Sequence, residues 1–190
     1  MTFKLALSDV DVLPKLQTMM EDFGNAAGSE LSVVLSAAIA LQHVHHTHHW
    51  QTRGSQYYGD HLLFQRLYEE TSDEIDGLAE RAVGLGSLIV VQPILVHNHA
   101  DQIVQHMYAG AEPYPEVEAL PLLSLRAERC FMALLEVVYK LMEAKGALTM
   151  GADDLLQATA SLHETHLYLL QQRSGGKMAE RVARRAAQGR

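Results

Sequence analysis

Residues 49–86 read HWQTRGSQYYGDHLLFQRLYEETSDEIDGLAERAVGLG, and further histidines precede them at His43, His45, His46 and His48. Two helical patterns meet here across the short connection Arg53, Gly54 and Ser55. Upstream, Leu31, Val34, Ala38, Leu41, His45 and His49 recur at spacings of three and four, with Leu35 widening the stripe. This predicts a helix A with Ser29 as its cap. Downstream, the stripe His61, Leu62, Gln65, Tyr68, Glu69, Ser72, Ile75, Asp76, Ala79, Glu80 predicts a helix B over Tyr57–Leu85, ended by Gly86. At 1.5 Å rise per residue such a helix is roughly 40 Å long, which suits an elongated bundle.

Working outward, residues 1–28 form a lead-in with Pro14, a short turn over 13–23, and breaks at Gly24 and Gly28. Beyond helix B the segment 87–120 changes character, with Pro93, Pro113, Pro115 and the histidines His97, His99 and His106. A short helix over 100–108 is expected to interrupt it. Helix C starts at Pro121, a favoured first-turn residue, and runs to Gly146 through Leu125, Cys130, Leu134, Val138 and Leu141. Helix D, capped near Gly151 or Asp153, is expected to end near Gln172 ahead of Gly175 and Gly176. No segment alternates as a strand does. Two helices, a long crossover and two more helices predict an all-α, ferritin-like four-helix bundle over 29–172, followed by a basic tail over 173–190.

The chain has 190 residues, of which 48% are apolar, enough for one sizeable core. The formal charge of −8 is uneven: residues 174–190 contribute +4 and the rest −12. An acidic body repels nucleic acid and attracts cations, while the tail does the reverse. Cys130 is the only cysteine, which excludes an internal disulfide and points to a reducing compartment. Lys4 and its few apolar neighbours do not fit a secretory signal, and the apolar run 88–96 is too short to span a bilayer. The expected setting is soluble and cytoplasmic, with no membrane partner.

Imidazoles and carboxylates at these spacings are ligands for iron or zinc. Four-carboxylate di-iron bundles use Glu-x-x-His on two helices, and no Glu in this chain has His three residues later. That argues against a di-iron site within one subunit and for ligands converging across two chains. Asp76 and Glu80, spaced i, i+4, share one face of helix B. Glu69, Glu70, Asp73 and Glu74 read as a solvated face, with an iron-nucleating role as the sharper alternative. His97, His99 and His106, and His163 with His166, read first as structural or surface residues and second as accessory metal sites.

The stretch 49–86 closely resembles the Dps mini-ferritins, the DNA-binding proteins from starved cells: His-Trp, a short Gly turn, a second His twelve residues after the first, and Asp-x-x-x-Glu-Arg. The run HETHLYLLQ over 163–171 is similar to that family's last helix. The resemblance implies a ferroxidase centre at a two-fold dimer interface, with His49 and His61 from one subunit and Asp76 and Glu80 from its partner. It implies Fe(II) as substrate, hydrogen peroxide as main oxidant with dioxygen slower, and ferric mineral stored in a hollow twelve-subunit shell built from dimers. Zinc in place of iron is the alternative metal.

One position departs from that pattern. Four residues after the second His the family usually has Asp, and this chain has Gln65. A neutral amide offers one oxygen and no charge, so one iron position is expected to be weakened, with His45 as a candidate replacement ligand. Trp50 reads either as an electron donor to oxidising intermediates or as an aromatic core anchor. The resemblance also implies non-specific DNA binding by a basic terminus, here Lys177, Arg181, Arg184 and Arg185, with nucleoid association. The alternative function is a nucleoid-binding shell whose ferroxidase activity Gln65 has weakened.

Overall fold

The computed structural model describes residues 12–112 and 115–187, with side chains over 15–112 and 115–175. Six helices follow in order: α1 Val12–Asp22, α2 Ser29–Gln51, α3 Tyr57–Leu85, α4 Pro93–Met107, α5 Leu120–Ala144 and α6 Met150–Ala187. Helices α2, α3, α5 and α6 form the expected bundle, and α4 lies in the long connection between α3 and α5, packed on α2. No strand occurs among the described residues. No helix there is long and apolar enough to cross a membrane.

Several boundaries differ from expectation, each for a local reason. The short turn over 13–23 is a full helix, α1, whose Leu16, Met19 and Met20 are buried in the main core together with Phe23 just after its end. Ser29 is the first residue of α2 rather than its cap. The cap position is Gly28, at φ 91°, and it makes no side-chain bond. A Cβ at Gly28 would stand 2.4 Å from the Ala82 carbonyl oxygen, so both the left-handed backbone and the contact with α3 require glycine. Helix α2 is apolar on nearly every side from Leu31 to Val44, and it is buried as a central helix rather than along one stripe.

The crossover helix begins at Pro93, seven residues before the expected start, because Pro93 fits the first turn and the Gln92 side chain accepts from the Leu95 N–H at 2.7 Å. Helix α6 is capped by Thr149, whose hydroxyl accepts from the Ala152 N–H at 3.2 Å, and not by Gly151 or Asp153. It also continues past Gln172 through Gly175 and Gly176. Each glycine costs about 1 kcal/mol in a helix, which does not oblige the helix to stop. Arg173 anchors this region, donating two bonds, 2.5 and 2.8 Å, to the buried carboxylate of Asp60 at the start of α3. The side chains of Lys177, Arg181, Arg184 and Arg185 lie outside the described residues, as does Arg190.

The core is divided. One apolar cluster takes Leu41, Val44, Leu78, Phe131 and Leu156, and a second takes Phe64, Leu67, Leu120, Leu125 and Leu170. Near the junction of the two clusters the bundle helices carry inward-facing polar residues: His45 and His48, Glu70 and Glu74, Ser124 and Glu128, His163 and His166. The candidate chemistry lies in this layer.

Candidate metal centres

Within the layer, Glu128 of α5 is the hub. Its Oε1 accepts from His45 Nε2 at 2.8 Å and faces His166 Nδ1 at 3.0 Å, while its Oε2 faces His163 Nδ1 at 2.8 Å. The other nitrogen of each ring also has an oxygen partner: Ser124 Oγ for His45 at 3.1 Å, Glu74 for His163 at 2.9 Å, and Glu70 for His166 at 2.9 Å. His45, Glu128, His163 and His166 are all 0% exposed. Spacing explains the convergence, because residues three or four apart share a helix face: His163 with His166, and Glu70 with Glu74.

Burial and charge oppose one another here. Burial favours a neutral Glu128, yet the charge of His163 and the hydrogen bonds from His163, His166 and His45 together hold its carboxyl well below the usual range. Burial would likewise lower His163, but Glu128 and Glu74 raise it to about 9. For His45 burial wins over the bond to Glu128, and the ring is held below its ordinary value. His48, next in the layer, bonds to Ser124 at 2.7 Å and to the Tyr108 hydroxyl at 2.5 Å; burial, then the neighbouring His45, lowers it to about 3.

Glu128, His163 and His166 are the group that meets metal-ligand range among the described residues, their ligand atoms all within 4.8 Å of one another. The sequence points to ligands converging across two chains, and this group converges within one. Glu70 and Glu74 are also not a solvated face, although Glu69 and Asp73 are exposed. His45 cannot back His49 in this arrangement, since both its nitrogens are engaged by Ser124 and Glu128. Glu128 and Ser124 were missed from sequence. The readable signal was an acid three residues from both Leu125 and Phe131, in the middle of a buried stripe.

The second constellation is at the α2–α3 hairpin. His49 and His61 stack with ring centres 3.7 Å apart, and Tyr57 covers His61 at 4.9 Å. His49 Nδ1 bonds to the His61 carbonyl at 3.0 Å, and His61 Nδ1 reaches the His49 carbonyl at 3.3 Å. Rings held through Nδ1 present Nε2 as the ligating nitrogen. Asp76 and Glu80 are exposed on α3 and do not meet this pair in one chain. His61 and Asp76 sit fifteen residues apart on a single helix, about 22 Å along its axis. Gln65 donates to Glu69 at 2.9 Å. Trp50 is 64% exposed and packs against His46 with ring centres 4.3 Å apart and planes tilted 46°, which excludes the core-anchor reading. His97 and His106 are exposed, and buried His99 pairs with Asp22 at 2.9 Å.

Residues 29–172 match the family model described as a ferritin-like domain. The chain belongs to the ferritin-like family. Its fold is that of the Dps branch: it aligns with DpsC from Streptomyces coelicolor at 23% identity and TM-score 0.64, over 77% of this chain and 81% of that one. It aligns with an archaeal Dps homologue from Halobacterium salinarum at 18% identity and TM-score 0.63, over 77% of each chain. Dps from Thermosynechococcus elongatus gives 18% and 0.60, over 83% and 93%. In sequence, general stress protein 20U of Bacillus subtilis is 31% identical over 74 residues, covering 33% of this chain and 51% of that protein. The match thus spans about half the length of that curated relative. This ferritin-like chain therefore carries two sets of ligand-type residues: one closed inside the bundle and one open at the hairpin.

Proposed function

We propose that this ferritin-like protein is an iron-storing ferroxidase of the Dps kind, with its reaction centre completed between two subunits. The observation that carries this reading is the His49–His61 clasp, in which both rings are fixed by backbone bonds through Nδ1 while exposed Asp76 and Glu80 lie too far along α3 to reach them in the same chain. A two-fold partner bringing its own Asp76 and Glu80 to the clasp supplies the missing oxygens. The donor chemistry fits iron: imidazoles suit Fe(II), and carboxylates stabilise Fe(III).

In this reaction two Fe(II) each give one electron to hydrogen peroxide, which takes up two protons and leaves as two waters. The ferric product passes to mineral in a shell assembled from dimers to twelve subunits. Protection of DNA from peroxide and iron follows, with Lys177, Arg181, Arg184 and Arg185 as salt-sensitive, sequence-independent phosphate contacts. Zinc competes for the same imidazoles.

The test is stopped-flow absorbance of ferric product after mixing anaerobic Fe(II)-loaded protein with peroxide. His61→Ala and Asp76→Ala are each expected to lower the initial rate by about 10-fold or more, on the scale that supporting residues of metal sites show. Unchanged rates in both variants would remove the assignment. Gel shifts with and without residues 174–190 test the DNA contact, since binding that ignores the truncation would acquit the tail.

A further inference from the structure

The polar layer of the bundle is built around a position for positive charge. His163 stands between Glu128 and Glu74, and His166 between Glu128 and Glu70. A ring between two carboxylates makes both bonds only with a proton on each nitrogen. If each ring keeps its Nε2–H toward α3, the two Nδ1 lone pairs and the Glu128 carboxylate converge, and a cation must stand among them.

We propose that Glu128, His163 and His166 form a mononuclear site for a divalent first-row transition metal inside the single subunit, separate from the His49–His61 pair. Glu74 and Glu70 are its outer carboxylates, each accepting an imidazole N–H, the arrangement that fixes the tautomer of metal-bound histidine and raises its basicity. His45 is a positioning residue that holds Glu128 Oε1 and is itself backed by Ser124.

Geometry, charge and access agree with this assignment. The three ligand atoms converge within 4.8 Å of one another, with Glu128 2.8 Å from His163 and 3.0 Å from His166, so small shifts bring all three onto one ion. Three carboxylates, Glu128, Glu74 and Glu70, surround the position and favour a divalent cation, and each ligating ring nitrogen must be free of its proton to bind. The side chains of Glu70 and Glu74 are 32% and 14% exposed, and they connect the closed triad with the outer surface of α3. Two imidazoles and one carboxylate with open positions suit Fe(II), and the same set holds Zn(II). The set differs from the paired Glu-x-x-His pattern of di-iron bundles, which this chain lacks.

The inference does not depend on the ferroxidase reading, and the experiment separates them. Full-length protein carrying His49→Ala and His61→Ala, stripped with chelator, is titrated with Co(II), Zn(II) or anaerobic Fe(II) and desalted. About one metal per chain is expected to remain. Co(II) should show the visible bands of a bound ion, and these should disappear in Glu128→Gln, a nearly isosteric change whose folding is checked by circular dichroism. Crystals of the unaltered protein soaked with Co(II) should give an anomalous peak beside Glu128. Metal retained only when His49 and His61 are intact, or an anomalous peak at the hairpin with none beside Glu128, would overturn the proposal. Loss of ferroxidation in the His49→Ala, His61→Ala chain while Co(II) still binds would support both readings together.

Discussion

The His49 and His61 rings lie face to face, each held by the main-chain carbonyl of the other residue. Each half of the hairpin thus orients the ligand on the other half, and a ring that swings loses both its carbonyl bond and the stack. Trp50 is the only tryptophan in the chain and adjoins this pair, packed against His46. Its fluorescence should fall when Co(II) fills the hairpin site and should fall far less in His49→Ala. Equal quenching in both proteins would place the bound metal elsewhere.

Gln65 is half-buried and donates to Glu69. Gln65→Asp adds a charged ligand one turn after His61 at the cost of an i, i+4 repulsion with Glu69 of a few tenths, about 0.3 kcal/mol. The initial ferroxidation rate and the Fe(II) affinity are expected to rise several-fold. A variant no faster than the parent would show that position 65 does not limit the centre.

Two buried histidines pull the pH dependence of stability in opposite directions. His48 has a folded value of about 3 against an ordinary 6.5, because burial, then His45, disfavours its charged form. Below 6.5 the unfolded chain takes up this proton first, so the contribution is intact above 6.5 and is lost progressively as the pH falls toward 3. His163, raised to about 9, contributes fully below 6.5 and loses that contribution as the pH rises through about 9. Thermal unfolding of metal-free protein from about pH 4 to 10 should therefore fall away on both sides. His163→Gln should flatten the alkaline limb specifically; an unchanged alkaline limb would rule out the charged His163.

The Arg173–Asp60 pair ties α6 to the start of α3, and Asp60 is 3% exposed. Removing Arg173 alone strands a buried carboxylate, so Arg173→Met is expected to cost about 3 kcal/mol in denaturant unfolding. Adding Asp60→Asn should recover part of that loss. Additive losses in the double variant would mean that the two side chains do not act as a pair.

The fold was largely readable because the four bundle helices carry long 3.6-residue patterns broken by Gly54, Gly86 and Gly146. The hairpin histidines were readable because a short turn fixes which two residues meet. The polar layer was not, and the cause is physical: its members stand at 45, 70, 74, 124, 128, 163 and 166, and only the rotation of four helices about their own axes brings them together. Glu70 and Glu74 sit in a run of acids whose inward members cannot be told from the outward Glu69 and Asp73 until α6 supplies His163 and His166 opposite them. His163 and His166 were visible as a pair at i, i+3, but the carboxylate that unites them lies on another helix.

The layer that parts the two apolar clusters also settles how far along one another the helices slide. A one-turn slip of α6, about 5.4 Å, would set Leu167 and Leu170 against Glu128 and strip that enclosed carboxylate of His163 and His166, leaving only His45 to donate to it. Oily side chains alone would tolerate several such offsets, since one leucine replaces another at little cost. A single ring of matched imidazoles and acids admits one alignment, and the same lock that indexes the bundle lengthwise holds the hairpin end, with His49 and His61, at a fixed height on the subunit.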